Sequence, residues 1–418
     1  MLWLLLLFQL SLGDLTYCEV PEFTFKPVDG YKPILLQMVF RHGDRSPWLT
    51  YKGDQATYNC DISQQLRFLS AQGMESYEFH HIKTEVDKEK MVFAKDNMYG
   101  GSCQMGQLTR KGLNQLATLG DKVRANYVGD NNFLPTYMNI SDIYVRSTKV
   151  WRVIQSAESF LQHLYPSYSR DPDARIRINT VPSEIEYAVY NDHGMCPREA
   201  ELEKELFDKW FVEELNLRHK EPYASILAKA ERFFGVVNYN WYDSYFDILQ
   251  EVQCNKLEWP CIDTESGEKE CFTEEEFNKL VELVYHDGVY RFFDNDTIPL
   301  ARLDAGWFLR DILSFQQMKY EGKTNVKYTH FHAHDTTIYP LVSLLEGDYS
   351  SWPPYASYII FEMYEKESEY YIRVGYNNKL LDLNFCSKDE NGMCKWKSFF
   401  DHMSKKVPKS SDCNAKNQ

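Results

Sequence analysis

The sequence has no excess of positive charge. Its 418 residues contain 46 Lys and Arg against 61 Asp and Glu, which gives a formal net charge of −15. A general nucleic-acid-binding protein needs a basic face that neutralises phosphates and releases counterions. The composition therefore argues against nucleic acid as a partner. It would also disfavour an anionic ligand, unless basic side chains are concentrated locally.

Long hydrophobic runs are equally scarce. The first residues carry one, Leu2–Leu12, which is too short to span a bilayer. Ser11 and Gly13 are small residues that suit a signal-peptidase site, so residues 1–13 are predicted to be a signal peptide, although no Lys or Arg precedes the run. An uncleaved anchor is the alternative. The tail, residues 404–418, is polar, and no stable membrane anchor is expected.

Cys-x-x-Cys pairs are also missing, which disfavours a zinc site at the clustered Cys254, Cys261 and Cys271. The ten cysteines form an even set, as expected for five disulfides in an oxidising compartment. Asn139 and Asn295 each begin an N-glycosylation sequon. These features predict a secreted or luminal glycoprotein, with Golgi or lysosomal residence left open.

Internal repeats and low-complexity tracts are absent, and 44% hydrophobic with 26% charged residues is ordinary for a globular protein. Collagenous, coiled-coil and largely disordered classes are therefore excluded. Strand and helix patterns predict an α/β core in residues 31–165 and 301–403, with an insertion at 48–104. Residues 166–300 include an amphipathic helix candidate, Glu199–Leu217, and predict a mainly helical cap domain. Near the end, Tyr358–Glu365 and Glu369–Tyr376 are predicted to form an antiparallel pair.

Three predicted strands end in basic side chains. Pro33–Phe40 is followed by Arg41, and Ile143–Arg146 is followed by Ser147 or Thr148 as a helix N-cap. Val326–His332 precedes a helix that opens at His334. In an open α/β sheet, ligands bind beyond the carboxyl ends of the strands, where helix N-termini favour anions. The sequence therefore predicts an anion site at this edge of the sheet.

The residue types at these strand ends suit phosphoryl transfer. Arg41, Arg45 and Arg146 are able to bind tetrahedral oxyanions in bidentate fashion, and His334 adds a donor. A neutral, oriented His42 is a candidate nucleophile at phosphorus. Asp335 is a candidate general acid, because a carboxyl group facing a phosphate is expected to have a raised pKa.

Two alternatives stay open from these residues. His330, His332 and His334 alternate along one strand and could share a face as the ligands of a metal-dependent phosphoesterase. A secreted protein that binds phosphate esters without turnover is the second alternative, although the presence of Asp335 argues against it.

Four ordered motifs resemble those of the histidine acid phosphatases. Arg41–Pro47 (RHGDRSP) is similar to the RHGxRxP signature of that family. Gly106–Gly112 resembles its GxLTxxG helix start, Val145–Thr148 its RST segment, and His334–Thr336 its HDT motif. The resemblance covers most of the chain from about Pro33 to Met403, and four motifs in the family's order make chance a poor explanation.

The resemblance implies both a fold and a mechanism. The fold would be α/β, a three-layer sandwich around a mostly parallel sheet with a smaller helical cap domain. His42 would form a phosphohistidine, Arg41, Arg45, Arg146 and His334 would hold the phosphoryl oxygens, and Asp335 would protonate the leaving group. Neither a metal nor a cofactor would be required. The substrate would be a small phosphate monoester or a phosphorylated glycan. Whether the protein forms a homodimer is left open.

The subgroup stays open. The contexts of eight cysteines are similar to those of the 2-phosphoxylose phosphatases, which act on the linkage region of glycosaminoglycans. The RST and HDT segments look more like those of the general acid phosphatases. The alternative activity is therefore removal of phosphate from xylose in that linkage region.

Overall fold

The computed structural model describes residues 18–19, 22–48, 56–60, 80–81, 100–101, 103–129, 133–182, 185–188, 196–235, 243–293, 298–347 and 352–414. The predicted signal peptide at residues 1–13 and the sequon at Asn295 lie outside these ranges, as does most of the predicted insertion at 48–104.

Strands are distributed along the whole described chain. They are β1 (Lys32–Arg41), β2 (Thr57–Tyr58), β3 (His80–His81), β4 (Gly100–Gly101), β5 (Ile143–Ser147), β6 (Arg177–Asn179), β7 (Cys261–Asp263), β8 (Lys269–Cys271), β9 (Tyr328–Ala333), β10 (Tyr358–Lys366), β11 (Glu369–Tyr376), β12 (Lys379–Leu380) and β13 (Cys394–Lys395).

The α-helices of the described residues alternate with the central strands and fill the region between β6 and β9. They are α1 (Arg110–Tyr127), α2 (Trp151–Leu164), α3 (Pro197–Arg218), α4 (Tyr223–Phe234), α5 (Asp243–Cys254), α6 (Glu274–Phe293), α7 (Ile298–Tyr320), α8 (Asp335–Leu344) and α9 (Trp396–Ser404).

One central sheet organises these elements. Its strand order is β12-β11-β10-β1-β9-β5-β6-β3, with β13 paired to β11. The strands β1, β9, β5, β6 and β3 run parallel to one another, whereas β10 pairs with β1 and β11 with β10 in antiparallel fashion. The prediction of a mixed α/β fold with a mostly parallel sheet is confirmed, as is the antiparallel pair near the end of the chain.

Strand β1 is buried on both of its faces, which explains why it reads as a continuous apolar run. Leu35 and Val39 join a hydrophobic cluster with α7, α8 and α9. Their neighbours Leu36 and Phe40 point to the other face and pack with α1 and α2. Helices therefore cover both sides of the strand that leads into the candidate site.

Helix α2 begins later than the sequence predicted. Its N-cap is Val150, not Ser147 or Thr148, and Val150 makes no side-chain capping bond. The Thr148 hydroxyl instead lies 3.0 Å from Nε2 of His334. The predicted cap is wrong because the hydroxyl of Thr148 forms a tertiary hydrogen bond instead of capping the helix.

The region between β6 and β9 has a hydrophobic cluster of its own, formed by residues of α4, α5 and α6 such as Phe233, Phe246 and Leu280. Five disulfides connect Cys18–Cys254, Cys60–Cys103, Cys196–Cys413, Cys261–Cys271 and Cys386–Cys394. The prediction of five disulfides is confirmed, and the structure supplies the connectivity. In the described part of the chain, helices long and apolar enough to cross a bilayer are not found.

Candidate active site

The predicted strand ends meet at one edge of the sheet. Arg41, at the end of β1, is in register with Ala333 at the end of β9, and Ser147 of β5 is in register with His332. His334 follows directly as the N-cap of α8. Parallel pairing thus brings segments separated by up to about 290 residues into one cluster.

His42 is held in a single orientation at the centre of this cluster. Its exposed fraction is 2%, and its backbone N–H donates to the carbonyl of Ala333 at 3.1 Å. Ring atom Nδ1 lies 2.8 Å from the carbonyl oxygen of Gly43, which only accepts hydrogen bonds, so Nδ1 carries the proton. Burial, together with the charges of Arg152 and Arg41, holds the pKa of His42 well below its ordinary value. The ring is therefore neutral, and Nε2 presents a lone pair.

Close backbone packing fixes the loop that carries His42. A Cβ atom at Gly43 would lie 2.3 Å from the carbonyl oxygen of Gly112 at the start of α1, so the approach requires glycine. The hydroxyl of Thr109, which caps α1, donates to the carboxylate of Asp44. These contacts pack the loop of the first motif directly against the helix start of the second motif.

Arg41 and Asp335 form an ion pair at 2.7 Å between Nη2 and Oδ2. Trp352 donates from Nε1 to the same carboxylate oxygen at 3.1 Å, and the backbone N–H of Thr336 donates to the other at 2.8 Å. Burial favours the protonated acid, but the charge of Arg41 and the bond from Trp352 outweigh it and lower the pKa of Asp335. The raised pKa expected from the sequence is therefore not what these protein groups alone produce.

A third arginine of the cluster was missed by the sequence analysis. Arg152 lies in the first turn of α2, and its charge is the one that acts most strongly on both His42 and His334. Burial and the neighbouring Arg45 lower the pKa of Arg152 to about 10. The helix dipole disfavours a positively charged arginine in the first turn of a helix. This unfavourable placement is the sequence signal that could have identified Arg152 as a functional residue.

Arg146, by contrast, does not face this cluster. Its Nη2 donates to Oε1 of Glu186 at 2.6 Å, its Nη1 lies 3.5 Å from Asp311, and the guanidinium stacks over Tyr187 at 4.4 Å. Side chains alternate between the faces of a strand, and β5 directs Arg146 toward α7. The structure thus differs from the predicted placement of Arg146 in the oxyanion clamp.

His334 lies opposite His42, with ring centroids 5.5 Å apart and the planes nearly perpendicular. Burial and the charge of Arg152 lower the pKa of His334, so the ring is neutral. The hydrogen bond between its Nε2 and the hydroxyl of Thr148 fixes the orientation of the ring.

His330 and His332 are arranged differently from a metal site. The hydroxyl of Tyr328 is hydrogen-bonded to Nδ1 of His330 at 2.9 Å, and Nε2 of His330 lies 3.0 Å from Nδ1 of His332. Phe40 stacks against both rings in the core. Among the described residues, groups of three or more His, Cys, Asp or Glu placed to hold a metal ion are not found.

Residues 34–377 match the histidine phosphatase superfamily (branch 2). Counting factor 60 of Dictyostelium discoideum is 28% identical over 92% of this chain and 89% of its own length. Human prostatic acid phosphatase is 26% identical over 66% of this chain and 69% of its length, and human 2-phosphoxylose phosphatase 1 is 23% identical over 89% and 76%.

The fold is shared with a solved phytase from D. castellii, which superimposes with a TM-score of 0.56 at 16% identity and covers 96% of this chain and 86% of the phytase. The family predicted from the four motifs and the prediction of a phosphatase enzyme are both confirmed. The chain is a phosphatase that belongs to branch 2 of the histidine phosphatase superfamily.

Proposed function

We propose that this chain hydrolyses phosphate monoesters with His42 as the nucleophile and without a metal ion. The hydrogen bond from Nδ1 of His42 to the carbonyl of Gly43 is the observation that carries the proposal, because it leaves Nε2 unprotonated and oriented. Nε2 attacks phosphorus, the ester oxygen leaves, and phosphohistidine forms. Water then attacks the phosphorus and releases inorganic phosphate, which restores neutral His42.

The phosphoryl oxygens are held by Arg41, Arg45 and Arg152, with His334 as a further donor. Catalysis of phosphoryl transfer depends mainly on positioning and charge neutralisation, and three guanidiniums around one imidazole supply both. Arg146 has its own carboxylate partners in Glu186 and Asp311, so we assign it to holding β5 and α7 together.

Asp335 is the proposed general acid. A bound dianionic phosphoryl group competes for Arg41, which removes the main charge that lowers the pKa of Asp335. The like charge of the phosphate raises that pKa further. The carboxyl group would then be protonated in the complex under acidic conditions and able to donate to the departing alkoxide.

Trapping of the intermediate tests this proposal. The wild-type protein is mixed with a ³²P-labelled aryl phosphate and quenched in alkali, in which phosphohistidine survives and phosphoserine does not. We expect stoichiometric label on the wild type, none on His42→Ala, and a fall in kcat of about 10⁴-fold or more in that variant. Normal turnover by His42→Ala would refute the proposal.

A chelator distinguishes this reaction from the metal-dependent alternative. Since His330 and His332 bond to each other inside the core, we expect dialysis against a strong chelator to leave kcat and KM unchanged. Loss of activity that returns on addition of a divalent metal would favour the alternative.

The substrate class and the compartment are proposals of the same kind. A panel of phosphate esters that includes xylose 2-phosphate glycans would separate a general acid phosphatase from the 2-phosphoxylose alternative. Five disulfides and an exposed Asn139 support passage through the secretory pathway, with glycosylation at Asn139. The separate cluster of α4, α5 and α6 supports the predicted cap within 166–300, and helices on both faces of β1 support three layers.

A further inference from the structure

Helix α5 packs directly on the loop that carries Arg45, although the two lie about 200 residues apart in sequence. Oδ1 of Asp247 accepts from Nη2 of Arg45 at 2.6 Å, and Oδ2 accepts from the backbone N–H of Trp48 at 2.9 Å. At the next residue beyond the helix, Nδ2 of Asn255 lies 3.3 Å from the carboxylate of Asp44. The helix therefore contacts the guanidinium of Arg45, the backbone at Trp48 and the side chain of Asp44.

Glu251, one turn further along α5, is the second carboxylate beside Arg45. Its side chain is fully buried, and Oε1 lies 3.5 Å from Nη1 of Arg45. The same oxygen accepts from the hydroxyl of Tyr355, whose ring stacks under the guanidinium of Arg41 at 4.2 Å. The other oxygen, Oε2, is buried without a hydrogen-bond partner. Glu251 thus contacts both Arg45 and Tyr355, the residue that stacks on Arg41. Only one of its two carboxylate oxygens has a hydrogen-bond partner.

The charges around Glu251 do not balance if it is ionised. It is faced by Arg45 and Asp44 from the loop, by Asp247 from its own helix and by Tyr355 from the segment before β10. Arg45 then lies among three carboxylates in a buried site, although Lys111 also acts on Asp44 and Arg152 on Asp247. Burial, with the repulsion of Asp44 and Asp247, raises the pKa of Glu251 well above its ordinary value, although Arg45 and Tyr355 oppose this.

We propose that Glu251 is a positioning residue whose protonation state sets the pH range over which Arg45 binds the phosphoryl group. Protonated Glu251 no longer shares the charge of Arg45, which then interacts with Asp247 and Asp44 and is more available to an anion. Ionised Glu251 competes with the anion for Arg45 and repels it. This inference rests on the proposed function, because it assumes that Arg45 contacts the phosphoryl oxygens.

Inhibition by sulfate measures this effect without interference from titration of the ligand, since sulfate keeps its charge across the acidic and neutral range. His42 and His334 stay neutral there because their pKa values are lowered. The inhibition constant of sulfate is measured against pH for the wild type, Glu251→Gln and Glu158→Gln. The last is the matched control, since Glu158 is a carboxyl in α2 whose pKa is raised to about 7 by burial.

In the wild type, we expect sulfate inhibition to weaken by up to about tenfold for each pH unit once Glu251 ionises. Glu251→Gln should bind sulfate like the wild type at acidic pH and weaken less as pH rises. Glu158→Gln should follow the wild type. Parallel profiles for Glu251→Gln and the wild type would overturn the inference.

Tyr355→Phe provides a second test that does not depend on the folding of Glu251→Gln. It keeps the ring over Arg41 but removes a donor that favours ionised Glu251. We expect the loss of sulfate affinity to move to higher pH, a shift that a purely structural role would not produce. An unmoved profile would contradict the inference. If phosphohistidine forms while these profiles coincide, only the inference fails; if it does not form, the proposed function itself fails.

Discussion

Arg41 and Asp335 are joined by a 2.7 Å ion pair that connects the end of β1 to the start of α8. The pair links the proposed oxyanion clamp to the proposed general acid, because one guanidinium contacts both. Arg41 lowers the pKa of Asp335, and in the proposed mechanism Asp335 becomes protonated only when an anion takes over that guanidinium. The proposed acid would then form only while a phosphate is bound.

Asp335→Asn should slow the enzyme according to the leaving group. An amide cannot protonate an alkoxide, so we expect kcat for alkyl phosphates to fall by about 10²-fold to 10⁴-fold. Nitrophenyl phosphate needs little protonation and should lose much less. The ratio of kcat values for the two ester classes, compared with the wild type, checks this. An equal loss for both classes would remove Asp335 from the role of acid.

Substitution of the two arginines near β5 should have different effects, one on catalysis and the other on stability. Arg152→Ala removes a proposed clamp residue, and we expect KM for phosphate esters to rise and kcat to fall, by about 10²-fold or more in kcat/KM. Arg146→Ala leaves Glu186 buried without its partner, which should lower the free energy of unfolding by about 3–5 kcal/mol. Its kcat/KM should change far less in the folded protein.

Urea denaturation and steady-state kinetics on both variants separate these effects. A larger loss of kcat/KM in Arg146→Ala than in Arg152→Ala would restore the role in the clamp that the sequence assigned to Arg146.

The disulfide between Cys18 and Cys254 should matter for catalysis as well as for stability. It anchors the last residue of α5, the helix that holds Arg45 through Asp247. We expect the double variant Cys18→Ser/Cys254→Ser to lose about 2–5 kcal/mol of stability and to show a raised KM.

Removal of the disulfide Cys386–Cys394 is the control. This disulfide closes a sequence separation of only 8 residues and has no link to α5. Thermal unfolding and KM are compared for the two double variants. An unchanged KM in the first variant would show that α5 holds Arg45 without the disulfide.

Glu158 should make the protein less stable as pH rises. Burial raises its pKa from 4.5 to about 7, so the folded state holds this proton more tightly than the unfolded state. The contribution is fully present below 4.5 and is lost between 4.5 and about 7, at no more than about 1.4 kcal/mol for each pH unit. Urea titrations of the wild type and Glu158→Gln across this window should show a flatter profile in the variant. Parallel profiles would contradict the shift.

Local sequence was a good guide wherever the chemistry lies on one continuous segment. The apolar run of β1 and the loop from Arg41 to Pro47 predicted a buried strand that delivers His42 to a strand end. The alternation before His334 predicted β9 in the same way. Both depend on short-range periodicity and on glycine, which act within a few residues.

The local sequence did not predict the contacts of residues whose partners lie far away in the chain. Arg146 and Arg152 are both arginines near a strand end, and only the surrounding Glu186 and Asp311 show that the first is already paired. Thr148 fits a helix cap by pattern, yet its hydroxyl is bonded to His334. The sequence alone does not distinguish these alternative roles, because each role depends on a contact between separate elements of the fold.

The amino-acid sequence by itself determined the family and the strands that lead into the candidate site, and it predicted His42 as the nucleophile, since these follow from motifs and periodicities within single segments. Tertiary structure alone decided which arginines face His42, the pKa of Asp335 and the support of Arg45 by Asp247 and Glu251. The physical reason is that charge and burial depend on distance in space. In this fold, the groups that set them lie up to about 290 residues apart in the chain.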